Sequence, residues 1–178
     1  YLLGHELTSL EPFAPRLTFA NGTTVDADLA VCADGVGSAA RAQLLPGVAP
    51  RYAGYVAWRG VVPETDLSDA TRAAFDDAIT YFVTANSHLL VYPIPGRDGT
   101  VAPGERLINL VWYRNSRAGD DLDSLLTDVQ GNRRDVSVPP GAIDPVHVAE
   151  ARAVADARLP PSVAELVAHP GHALAKQT

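Results

Sequence analysis

The chain has 178 residues, 47% hydrophobic and 20% charged, which suits one compact domain or one and a half and excludes a disordered chain. A formal net charge of −7, a single Lys and no block of basic residues argue against a nucleic-acid or anionic-membrane partner. The longest apolar runs, residues 29–33 and 89–92, fall far short of a membrane span, and no secretory signal opens the chain. Cys32 is the one cysteine, so no internal disulfide forms and a reducing, cytoplasmic setting is expected. Cys32 itself is expected to be buried in an apolar strand. Met is absent, the chain opens on Tyr1, and residues 173–178 end without a cap or turn signal, so both ends are expected to be cuts in a longer chain.

In chain order, residues 16–20 alternate and run into Asn21-Gly22, which predicts a hairpin with both turn positions at positive φ and a return strand from Thr24. Residues 29–33 (LAVCA) predict a strand buried on both faces, as in a parallel sheet. A turn at Asp34-Gly35-Val36-Gly37 leads to Ser38 as the cap of a short helix over 39–45, stopped by Pro46-Gly47. Beyond Pro50 the texture changes. Strands are expected over 52–62, 80–84, 88–94 and 107–113, rich in aromatic and β-branched residues. Helices are expected over 66–78, capped by Ser68, and over 121–129, 146–157 and 162–167, with a polar loop over 132–144.

Asp34-Gly35-x-x-Ser38-x-x-Arg41 is the pattern that carries chemistry. It stands where a strand hands over to a helix, a corner whose free N–H groups and positive helix end suit a phosphate. Asp34 can accept from hydroxyls, Gly35 lets the backbone turn and a ligand approach, and Arg41 can reach a phosphate. Three readings stand beside one another. The plain one is a strand, turn and helix with Ser38 as cap and Arg41 in solvent. The second takes residues 35–40 as the G-x-G-x-x-A dinucleotide fingerprint of an NAD(P)-binding Rossmann oxidoreductase. Against it, Pro46-Gly47 breaks the helix after about two turns, position 55 is a Tyr, and Glu64 falls too late to hold a ribose. Ser38 as an acyl-hydrolase nucleophile lacks the second Gly of G-x-S-x-G, since Ala40 stands there.

The third reading is a resemblance. Residues 27–41 (ADLAVCADGVGSAAR) are similar to the Asp-Gly motif of the class A FAD-dependent aromatic monooxygenases. Residues 52–60 (YAGYVAWRG) resemble the strand that opens that family's substrate domain. Residues 88–96 (HLLVYPIPG) resemble the strand that crosses its active site and ends in a Tyr-Pro turn, and 110–114 (LVWYR) resemble the next strand. The nearest branch is the dihydroxypyridine hydroxylase and salicylate hydroxylase-like one. The resemblance implies FAD as cofactor, NAD(P)H as co-substrate and a small aromatic substrate hydroxylated with O₂. It implies Asp34, Gly35, Ser38 and Arg41 as cofactor-binding and Trp58, Tyr92 and Pro93 as substrate-binding residues. It assigns no catalytic residue.

The architecture expected is α+β, or mixed α/β. Residues 1–48 would end a FAD-binding α/β unit, 49–158 a mostly antiparallel substrate sheet with flanking helices, and 159–178 a truncated helix and strand. The family's G-x-G-x-x-G loop and its later Gly-Asp segment have no counterpart here, since Gly119-Asp120 comes too early. This piece alone is therefore expected to hold no FAD, to be inactive and to self-associate through residues 29–33. A non-catalytic interaction or binding module is the alternative from another class. Trp112 reads as core, His88 as a hairpin residue, Arg59 as an ion-pair former or a flavin neighbour, and His169 and His172 as no metal site.

Overall fold

Alternation of Leu and Thr with charged residues builds a small sheet at the start of the chain. In the computed structural model, which describes residues 1–13, 15–169 and the backbone of Ala175–Gln177, β1 (Leu7–Glu11), β2 (Arg16–Phe19) and β3 (Thr24–Asp26) pair antiparallel in that order. The β2–β3 hairpin forms as the Asn-Gly signal predicts, but only Gly22 has a positive φ. Gly22 N–H donates to Phe19 O, and Phe19 N–H donates to Thr23 O, so the loop is a longer turn with one left-handed residue rather than a two-residue turn. β1, which carries no turn signal of its own, was not anticipated.

Helix α1 (Ala39–Leu44) follows, with Ser38 as its cap. It is tied to the first sheet by Gln43, whose side-chain amide accepts from Leu10 N–H at 2.9 Å and donates to Leu10 O at 2.5 Å. The expected strand over 29–33 does not form: these residues pair with no strand, and Leu29 and Val31 are 77% and 82% exposed. Cys32 is exposed as well, against its expected burial. A strand buried on both faces needs hydrogen-bonding neighbours and a layer over each face. Here β3 ends at Asp26 and pairs only with β2 among the described residues.

Contact density divides the chain into two units, Tyr1–Arg51 and Tyr52–Thr178. The second is an antiparallel sheet with helices on one side, an α+β architecture as expected. Its strands are β4 (Tyr55–Pro63), β5 (Thr80–Thr84), β6 (Ser87–Ile94), β7 (Leu107–Asn115), β8 (Ser137–Val138) and β9 (Ala175–Gln177), in the order β5-β6-β7-β4-β9-β8. β5 and β6 join through Ala85-Asn86, where Asn86 takes the left-handed conformation at φ 61.

The helices are α2 (Asp69–Ala74), α3 (Asp120–Leu126), α4 (Pro145–Arg158) and α5 (Pro161–Ala168). α2 is shorter than the 66–78 expected. A 3₁₀ turn, Glu64–Asp66, precedes Ser68, which caps α2, and Phe75 leaves the helix to enter the core. Trp58, Val62, Leu89, Val91, Ile108, Leu110 and Trp112 from the sheet pack on Leu67, Phe75, Leu122, Leu126, Ala151, Ala155, Val163 and Leu166. This apolar layer is the main source of stability. No helix among the described residues is long and apolar enough to cross a membrane.

Candidate functional site

Strand pairing sorts the second unit's candidate residues onto two faces. Trp58 pairs with Trp112 and Trp112 with Leu89, so these three share the face that carries the helices. Tyr92 lies three residues beyond Leu89 and therefore points to the other face, with its cross-strand partner Asn109. Pro93 pairs with Ile108 and belongs to the helix side. The three residues expected to line one substrate pocket are thus not brought together. Trp58 is 1% exposed and packs in the core, and Tyr92 alone of the three stands on the open face, half-buried.

That open face has a consistent composition. Tyr92 and Asn109 are followed along the strands by Leu90 with Val111 and by His88 with Tyr113, and β4 adds Ala57, Arg59 and Val61. The His88 ring stacks on Tyr113 at 4.5 Å between centroids, and Tyr55 meets Tyr113 edge-on at 5.6 Å. His88 and Arg59 are exposed, and Arg59 forms no ion pair among the described residues. Asn109, Tyr113 and Tyr55 were missed in the sequence. The signal was a polar residue in the apolar run LINLVWY, legible only once the pairing offset is known.

On the helix side, Trp58 borders a concavity of about 740 Å³ with Arg114, Ser116, Ser124, His147 and Glu150. Arg114 stacks over Trp112 at 4.8 Å and pairs with Glu150 at 3.4 Å, and the Trp112 indole N–H donates to Ser87 Oγ at 2.9 Å.

The loop that follows β6 is anchored by a buried ion pair. Glu64 and Arg106, 3% and 7% exposed, join through Arg106 Nη2 to Glu64 Oε1 at 2.8 Å. Gly104 N–H and Arg106 N–H also donate to Glu64 Oε2, and Arg106 Nη2 reaches Asp76 at 2.8 Å. Burial pushes the Glu64 carboxyl up, but these donors outweigh it and hold it below the usual range.

In the first unit, the Asp34 corner closes on itself. Ser38 Oγ donates to Asp34 Oδ1 at 2.6 Å, Ala40 N–H to Asp34 Oδ2 at 3.2 Å, and Arg41 N–H to Ser38 Oγ at 2.9 Å. The Ser38 hydroxyl first, then the Ala40 N–H, keep the Asp34 carboxyl below the ordinary carboxylate range. The Arg41 guanidinium turns onto the carbonyls of Gly35 and Val36. Gly35 sits at φ 76, which an L side chain rarely adopts, and the space where a Cβ would stand is open.

These residues border an open pocket of about 340 Å³ with Cys32, Leu44 and Leu45. The Ala40 and Arg41 N–H groups at the start of the helix, which a phosphate would use, are already taken by Asp34 and Ser38. What the corner still offers is an exposed carboxylate with lone pairs to spare beside an open glycine. That donor set fits hydroxyl groups of a ligand and does not fit a pyrophosphate. α1 is also too short for a Rossmann crossover, as expected. No group of three or more His, Cys, Asp or Glu among the described residues could hold a metal. His169 lies 3.4 Å from Asp66, and His172 lies outside the described residues.

The chain also matches known proteins. Over 130 residues the chain is 41% identical to 2,6-dihydroxypyridine 3-monooxygenase of Paenarthrobacter nicotinovorans, covering 73% of this chain and 32% of that protein. Over 85 residues it is 39% identical to 3-amino-4-hydroxybenzoate 2-monooxygenase of Streptomyces cremeus, covering 48% and 21%. The solved structure of 2,6-dihydroxypyridine-3-hydroxylase from Arthrobacter nicotinovorans superposes with a TM-score of 0.77 at 33% identity, over 97% of this chain and 42% of that one. The chain therefore spans about a third or less of the length of these curated relatives. The family model described as FAD binding domain-like matches residues 52–174, well over half of the sequence, and the chain belongs to that family.

Proposed function

We propose that this chain is part of a flavin-dependent monooxygenase that hydroxylates a small aromatic or heteroaromatic ring with NAD(P)H and O₂. The observation that supports this most is the 41% identity to a 2,6-dihydroxypyridine 3-monooxygenase over 130 residues, 73% of this chain. FAD, when bound and reduced by NAD(P)H, supplies the activated oxygen. The open face of the sheet binds and orients the ring: Tyr92 offers a phenol, and Leu90, Val111 and Val61 give an apolar bed that excludes water.

In the first unit, residues 1–48, Asp34 accepts hydrogen bonds from the hydroxyl-bearing part of the cofactor and Gly35 lets it approach the backbone. Ser38 and Arg41 position that carboxylate and loop. Trp58 and Pro93 support the sheet from behind. A reducing cytoplasmic setting is supported by the unbridged Cys32, and self-association of the isolated chain by the exposed Leu29 and Val31.

The test is the complete gene product, purified and examined for flavin absorbance and for ring-dependent NAD(P)H oxidation. Arg41→Ala and Asp34→Asn should each weaken FAD retention or slow flavin reduction by about 10-fold or more while the thermal midpoint holds. A colourless product that binds no FAD would remove the monooxygenase reading in favour of a non-catalytic module. Wild-type flavin content and reduction rates in both variants would remove the Asp34 corner from the site.

A further inference from the structure

We propose that the cavity between the sheet and helices α3 and α4 is a second ligand site, one that takes a small organic monocarboxylate on the guanidinium of Arg114. It lies on the helix side of the sheet, away from the face proposed for the ring, and does not rest on the monooxygenase reading.

The cavity, about 740 Å³, falls in the size range of small-molecule sites. Val56 pairs with Arg114 and Trp58 with Trp112, so these four side chains alternate onto one face. Val56 and Trp58 are buried and form an apolar floor beside Arg114. α3 adds the half-buried Leu125, and Ser124 meets His147 of α4 at 3.1 Å.

Arg114 is the charge that this cavity withdraws from water: its side chain is 21% exposed. The guanidinium carbon lies 4.8 Å from the centre of the Trp112 ring and 6.0 Å from that of Trp58, which fixes the plane of the fork. Its hydrogen bonding is poor by comparison. Among the described residues its one bond to the protein runs from Nη2 to Glu150 Oε1 at 3.4 Å, well beyond the roughly 2.7–2.9 Å of a charge-assisted bond. Nε and Nη1 make none. A mostly desolvated cation with idle donors on a cavity wall is completed by an anion that takes two N–H groups in parallel. Glu150, 63% exposed, returns to water at little cost.

The remaining charges on the lining decide the class of anion. Asp120, Asp121 and Glu150 outnumber Arg117 there, and all four are exposed. Their net repulsion on a dianion is about twice that on a monoanion, which favours a carboxylate over a phosphate. Leu125 gives the organic part of the ligand an apolar contact.

The test is calorimetry on the complete gene product with benzoate, its neutral isostere benzamide, and inorganic phosphate. Benzoate should bind most tightly of the three. Arg114→Met should weaken benzoate by about 10-fold or more and leave benzamide unchanged. It also strips a cation from two indole faces and should lower the thermal midpoint, so the ratio of the two probes is the readout. Glu150→Gln frees Arg114 from its present partner and should tighten benzoate by about 2- to 5-fold, a gain that a purely structural role for Arg114 does not produce; it decides the matter if Arg114→Met fails to fold. Tyr92→Phe, on the other face, should change neither probe. The proposal is overturned if no benzoate binds, if benzamide binds equally well or phosphate better, or if benzoate affinity is indifferent to the Arg114 and Glu150 variants. Benzoate that perturbs the flavin spectrum and responds to Tyr92→Phe alone has entered the ring face, which also overturns it.

Discussion

Replacing Arg106 by Met should unfold the second unit more readily than any other single surface-remote charge change. The substitution keeps the length of the side chain and removes the charge. It leaves Glu64, 3% exposed, with only the Gly104 and Arg106 backbone N–H groups as partners. Breaking a buried pair from one side costs about 3–5 kcal/mol, because a desolvated charge is left behind. Glu64→Gln should cost about 1–2 kcal/mol, since Arg106 keeps its contact to the more exposed Asp76. Both tryptophans lie in the second unit's core, so urea unfolding followed by Trp fluorescence reports on that unit. With a slope of about 1–3 kcal/mol per molar urea, Arg106→Met should lower the midpoint by about 1 M or more.

The pH dependence carries a sign. The Glu64 carboxyl is depressed in the folded chain, so its contribution is complete above the unfolded Glu value and is lost as pH falls through the folded one. In Arg106→Met, burial acts without the opposing cation and raises Glu64, which favours the folded state in acid. The gap between wild type and variant should therefore be widest at neutral pH and narrow toward about pH 4. The double variant Glu64→Gln with Arg106→Met should be more stable than Arg106→Met alone. Single costs that add up in the double variant, or a gap that does not change with pH, would refute the idea that an uncompensated charge sets the penalty.

Glu165 on α5 accepts from Thr71 Oγ1 at 2.5 Å and from Ser68 N–H and Oγ at 2.7 Å, which holds the start of α2. Glu165→Ala should cost about 1–3 kcal/mol at pH 7 by the same fluorescence assay, a loss that shrinks in acid because this carboxyl is also depressed, by Thr71 and then Ser68. Ser87→Ala strips the acceptor from the Trp112 indole and should cost about 1–3 kcal/mol, with a shift in tryptophan emission that Ser87→Thr largely restores. The 178-residue chain alone should retain no stoichiometric FAD after gel filtration, because the α1 donors are spent on Asp34 and Ser38; visible flavin absorbance in the protein peak would contradict this.

What could be read in the sequence was what is decided locally. Ser38 and Ser68 cap their helices, Asn21-Gly22 turns a hairpin, and the strands of the second unit fall within a few residues of their expected bounds, because each depends on neighbours in the chain. What could not be read depends on partners far away. Glu64 and Arg106 are 42 positions apart, and nothing near either one announces the other. Residues 29–33 have the composition of a doubly buried strand, but burial is a property of the layers around a strand and not of its own side chains. Trp58 and Tyr92 both resemble substrate-lining residues, and one offset in strand pairing decides that they face opposite ways.

That offset also explains how the sheet can be both scaffold and site. Every helix of the second unit that contributes to the core packs on the face of Trp58, Leu110 and Trp112, so stability comes from one side. The other face is free to hold groups that stability alone would not select: the unpartnered Nδ2 of Asn109, the half-buried phenol of Tyr92, and the His88–Tyr113–Tyr55 ring cluster. These groups rise from interior strands whose backbones are fixed by hydrogen bonds on either side, so they are held more rigidly than loop residues would be. A substitution on the helix face should therefore move the unfolding midpoint first, and one on the open face should move ligand preference first. Tyr92→Phe and Ser87→Ala are the pair that separates the two, since they lie on the same strand and point to opposite sides.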